Sequence, residues 1–165
     1  MKKLLAITIL LFSCAVSRAQ TIAFNDLADL VNLSLPQVDN ILIGTGKFKI
    51  NNKEEQNGQI ITHYQSIDKN KNVIKGETML TGAYRTSADG IMLKTVTYKT
   101  IYPAYIANLQ KQILGFGYKL TFTGSDQQRK LFIYDNQLNH ITVMMENDHS
   151  SNSVVIRQKD VGMEQ

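Results

Sequence analysis

The chain has 165 residues, with 18 Lys+Arg against 14 Asp+Glu, a formal net charge of +4, one cysteine and no tryptophan. Lys2, Lys3 and Arg18 all fall in a leader-like opening segment, so the remainder holds 15 basic and 14 acidic residues and gives no electrostatic support to nucleic-acid binding. Cys14 lies in that same segment, so a chain cut after it has no disulfide, no thiolate nucleophile and no cysteine-ligated metal.

Lys2 and Lys3 precede an apolar run from Leu4 to Phe12 that only Thr8 interrupts, and Ser17-Arg18-Ala19 follows as a small-x-small site. This order predicts a signal peptide over residues 1–19, a mature start at Gln20 and export to a bacterial periplasm or beyond. The run is shorter than the ~20 apolar residues of a permanent span. Leu11-Phe12-Ser13-Cys14 loosely matches a lipoprotein box, which makes a lipid anchor at Cys14 the alternative route. Phe12 is bulkier than that box accepts, so soluble export is preferred.

Beyond the leader, Thr21 to Asn32 places Phe24, Leu27, Leu30 and Val31 at helical spacing. Ser34 is a helix cap, Pro36 stands in the first turn, and Leu35, Val38, Ile41 and Leu42 share a face until Gly44 and Gly46 end the helix. The period then becomes two. Phe48 and Ile50 alternate with lysines, Asn51 to Gly58 reads as a polar turn, and Gln59 to Ile67 reads as a strand. Val73 to Arg85 and Ile91 to Lys99 are further strands, separated by a turn at Ser87-Ala88-Asp89-Gly90.

The same order then restarts. Thr100 is a candidate cap and Pro103 sits early in a helix whose face is Ile106, Leu109, Ile113 and Leu114. Gly115 and Gly117 stop it, and Tyr118, Leu120 and Phe122 alternate with Lys119, Thr121 and Thr123. Strands follow at Lys130 to Tyr134, His140 to Glu146 and Val154 to Gln158, with a loose tail at Val161 to Gln165. Gly46 and Gly117 are 71 residues apart. The expected fold is therefore α+β, a tandem repeat of one helix plus about four antiparallel strands, with the helices on one face of the sheet. Residues 20–99 form the first unit and 100–165 the second, sharing its core.

On Ser34-Leu35-Pro36 through Gly46-Lys47-Phe48, and Tyr102-Pro103 through Gly117-Tyr118-Lys119, the layout resembles the tandem repeats of β-lactamase-inhibitor-like folds and of uncharacterised exported bacterial proteins built on that plan. The resemblance covers most of residues 22–159. It implies a joined sheet that offers one face to a protein partner, and it carries over no functional residue.

Motifs of chemistry are weak. His63, His140 and His149 are the only histidines; His140 and His149 could approach across a turn, but a zinc site needs three or four converging ligands. Gly44-Thr45-Gly46 and Gly115-Phe116-Gly117 follow helices, whereas a phosphate loop opens one. Glu54-Glu55 are neighbours that would point apart on a strand. No catalytic residue, cofactor or metal is expected. Five of the seven tyrosines, Tyr64, Tyr84, Tyr98, Tyr118 and Tyr134, fall in strands, where sheet packing is the first expectation and recognition the second.

Ile141, Val143 and Met145 read as a core face, which turns His140, Thr142, Met144 and Glu146 outward. A similar split sets Met92, Lys94, Val96 and Tyr98 against Ile91, Leu93 and Thr95. The eight outward candidates mix apolar, aromatic and charged side chains, as non-obligate interfaces do. The first functional expectation is thus a non-enzymatic protein-binding module of inhibitor, immunity or escort type. The second is a small-molecule or lipid carrier with an apolar pocket. The third is an enzyme in which His63, Asp89, His140 and Glu146 converge.

Overall fold

A computed structural model describes residues 22–56, 59–86, 92–148 and 150–160. The signal peptide, Cys14, Gln20, the turn at Ser87 to Gly90, His149 and the tail from Val161 lie outside the described residues. Helices α1 (Phe24–Leu30) and α2 (Leu35–Gly44) come first, then strands β1 (Phe48–Gln56), β2 (Gln59–Ile67), β3 (Val73–Thr86) and β4 (Met92–Thr100). Helix α3 (Pro103–Gly115) follows, and β5 (Lys119–Ser125), β6 (Arg129–Asp135), β7 (Asn139–Glu146) and β8 (Asn152–Gln158) end the fold. No helix among the described residues is long and apolar enough to cross a membrane.

Local chemistry explains the helix ends. The Ser34 N–H and hydroxyl both donate to Gln37 Oε1, at 2.9 and 2.8 Å, and Pro36 needs no N–H partner in the first turn. Gly46 and Gly117 follow α2 and α3 with φ of 67° and 83°, a left-handed geometry that any Cβ would strain. Thr100 does not cap α3. It is still in β4, paired with Glu77 and Asn152, and its hydroxyl accepts the Tyr102 N–H at 3.1 Å.

The eight strands form one antiparallel sheet in the order β1-β2-β3-β4-β8-β7-β6-β5. Its centre is the β4–β8 pair, where Val96 faces Ile156 and Tyr98 faces Val154. The expected turn from Asn51 to Gly58 is corrected: β1 runs on to Gln56, with Lys53 opposite Thr62 and Glu54 opposite Ile61. From Asn51 to Gln56 this edge strand is exposed on both faces and has no buried set to alternate with, and its charges blunt pairing with other chains.

Register divides the sheet into two faces. On one, Tyr64, Met79, Tyr98, Val154 and Val143 lie side by side, next to Val96, Ile156, Ile141 and Tyr134. These residues join Phe24, Leu27 and Leu30 of α1, Val38 and Leu42 of α2, and Ile106, Leu109 and Ile113 of α3 in a single buried cluster. We call this the core face and its opposite the outer face. Burying one such aliphatic or aromatic side chain contributes roughly 1.5–3 kcal/mol, which makes this cluster the main source of stability.

Candidate partner-binding face

The outer face is built from strand alternation. Across the sheet, Phe122, Ile133, Thr142, Val155, Thr97, Leu80 and His63 pair in one row. The next row holds Gly124, Leu131, Met144, Ser153 and Lys99. Phe122 is 50% exposed, and its ring lies where a side chain on Gly124 would project, so it leans over its own strand toward Leu131. Phe122, Leu131, Met144, Asp126 and Arg129 line a shallow cleft of about 460 Å³ at the β5 side.

A bulge puts Phe122 there. Leu120 pairs with Tyr134 on the core face, but the register shifts before Phe122, which pairs with Ile133. Thr121 occupies the extra position and its hydroxyl donates to Asp135 Oδ2 at 2.8 Å. Phe122 was therefore not recognisable as an outward residue: simple alternation groups it with Tyr118 and Leu120.

One end of the face is a polar network around Asp135. Lys159 Nζ lies 2.8 Å and His140 Nδ1 3.0 Å from Asp135 Oδ1. Partial burial pushes the Asp135 carboxyl up, but the contacts from Lys159, Thr121 and His140 outweigh it and hold the pKa down at about 2. At the far edge of the sheet, His63 Nε2 and Glu54 Oε1 are 3.1 Å apart.

The expected outward residues divide. His140, Thr142, Met144 and Glu146 all take the outer face, each partly buried. Met92, Lys94, Val96 and Tyr98 do not join them. They take the core face, where Val96 is 2% and Tyr98 0% exposed, so neither meets a partner on the folded chain. Both alternating sets of β4 contain apolar residues, and only the pairing with Ile156 and Val154 decides which set turns inward. Burial, together with the neighbouring Glu77 charge, pushes the Tyr98 phenol up. Met92 remains half-exposed at the rim of the same face, and the Lys94 ammonium donates to the Leu33 carbonyl at 2.7 Å.

The residues of the enzymatic alternative are not brought together. His63 is on β2, and His140 and Glu146 stand six residues apart on β7, about 20 Å along the strand. Asp89 is outside the described residues. Among the described residues, no group of three or more His, Cys, Asp or Glu side chains is placed to hold a metal ion.

No protein-family model matches the chain, and no curated protein or solved structure does either.

Proposed function

We propose that this chain is an exported, non-enzymatic binding module that holds a protein partner on the outer face of its β5–β8 half. The observation that carries the reading is the Phe122 ring, half exposed beside Leu131 and Met144 and flanked by Arg129, Glu146 and Lys99. A purely solvated sheet face is built from polar β-formers. An apolar and aromatic centre within a charged rim is the composition of a non-obligate interface. Scattered exposed apolar residues need no explanation, but these three are contiguous around one cleft.

The architecture behind the proposal is a duplicated unit whose helices all rest on the core face, leaving the outer face open. Tyr64 of β2 donates its hydroxyl to Asp39 of α2, and Gln110 of α3 donates to the Tyr134 hydroxyl of β6 at 3.0 Å. Asp39 and Gln110 are 71 positions apart, as are Gly46 and Gly117, while Tyr64 and Tyr134 are 70 apart. Each edge strand has its bulge at the same place, after Ile50 and after Leu120. The same tyrosine-to-helix contact, left-handed glycine and bulge in both halves support this reading.

The test is capture from the envelope of the exporting cell with the wild type and with Phe122→Ala plus Met144→Asp, after both are shown to be folded. A specific protein held by the wild type and lost by the variant is expected. Equal recovery of that protein by both removes this face as the interface.

A further inference from the structure

On the opposite side of the sheet, a second opening has different chemistry. Leu30 at the end of α1 and Leu33 just beyond it, Leu35 and Val38 from α2, and Ile60, Met92 and Val96 from the strands line a groove of about 250 Å³. Ile60 and Met92 are each 52% exposed at its rim, where two large apolar side chains meet water for no packing gain. The one charged side chain of the lining is Lys94, and no carboxylate lines the groove among the described residues. Its ammonium has three donors, and the Leu33 carbonyl takes one at 2.7 Å. That bond fixes the cation against the groove wall and leaves donors for an anionic head.

We propose that this groove binds a medium-chain aliphatic carboxylate, its chain along Leu30, Leu35, Val38 and Val96 and its head on the Lys94 ammonium. Size and charge select this class. At about 30 Å³ per heavy atom the groove holds roughly eight, the number of carbons in octanoate, whose two oxygens would meet the Lys94 ammonium. A neutral alcohol of that length gains the same apolar burial and accepts from the ammonium, but it brings no opposite charge and so lacks the ion-pair attraction of a carboxylate. A cationic amphiphile meets Lys94 as a like charge. The site lies on the core face and shares no residue with the proposed protein interface.

Titration calorimetry on the folded chain, below micelle-forming concentrations, compares octanoate, octanol and octylammonium. Octanoate is expected to bind one to one, at least about tenfold more tightly than either analogue. Lys94→Met should remove that preference while octanol binding stays within about twofold. Ile60→Asp, at an exposed rim position, should abolish octanoate binding by like-charge repulsion and serves as the deciding variant if Lys94→Met does not fold. Phe122→Ala should bind octanoate as the wild type does, so loss of the protein partner and loss of this ligand are separable. The proposal is overturned if octanoate gives no saturable binding, if octanol or octylammonium binds equally well, or if folded Lys94→Met or Ile60→Asp keeps wild-type octanoate affinity.

Discussion

Replacing Asp135 by asparagine takes a charge away from Lys159, His140 and Thr121 while keeping the side chain's shape. The carboxyl's fall from 3.8 to about 2 corresponds to at most about 2.5 kcal/mol of preference for the ionised form in the folded chain. The side chains of Asp135, His140 and Lys159 are 22%, 34% and 35% exposed, so solvent screening reduces this to about 1 kcal/mol. The folded pKa is depressed, so the contribution is complete above the unfolded value near 3.8 and is lost as pH falls through about 2. Urea unfolding of wild type and Asp135→Asn should therefore differ by about 1 kcal/mol near pH 7, and the gap should close near pH 2. A gap of the same size at both pH values, or none at pH 7, would mean that Asp135 does not anchor the β6–β7 end of the outer face through its charge.

Two further substitutions probe the frame. Gly76 has φ of 99°, and an added Cβ would stand 2.6 Å from Ile101 Cγ1, so Gly76→Ala should lower stability by about 2–3 kcal/mol in denaturant melts. Tyr64→Phe should cost about 1.5–3 kcal/mol because the Tyr64 hydroxyl donates to a carboxylate, whereas Tyr134→Phe, which loses only the Gln110 amide, should cost about 1 kcal/mol; equal losses would contradict the charge-assisted assignment.

Some of this fold was readable from residue order, and the exceptions have specific causes. The Ser34 cap, Pro36 and Gly46 mark α2 because each acts through its own backbone neighbours. His140 to Glu146 divides cleanly into two faces because Ile141 and Val143 fill one parity. Val96 and Tyr98 were misplaced because β4 is apolar on both parities, and the choice between them belongs to the β8 residues lying opposite. Phe122 was missed because a single inserted residue, Thr121, reverses parity within β5. The α1–α2 groove could not be read at all, since Lys94 meets the Leu33 carbonyl across 61 positions of chain.

Helix α1 has no counterpart among the elements of the second half, and its contacts explain its presence. Phe24 is fully buried and sets its ring edge-on to Phe116 and Tyr118, with centroids 5.4 and 5.5 Å away. Its N–H donates to Gln112 Oε1 at 2.8 Å. The first helix of the chain is thus anchored on the end of α3 and the start of β5, across the β4–β8 seam. The other end of α1 supplies Leu30 and, just beyond it, Leu33, which wall the groove beside Lys94. Gln158 of β8 adds a second tie, accepting the Lys94 N–H at 2.9 Å and donating to Asn32 Oδ1 at 3.1 Å. A seam held by one strand pair alone would let the two halves open about it. With α1 bridging them, opening the seam must also expose Phe24 and break its N–H bond to Gln112. Burial of the anchoring ring alone is worth several kcal/mol. The same short helix therefore couples the two halves and walls a groove whose lining residues all lie between Leu30 and Val96.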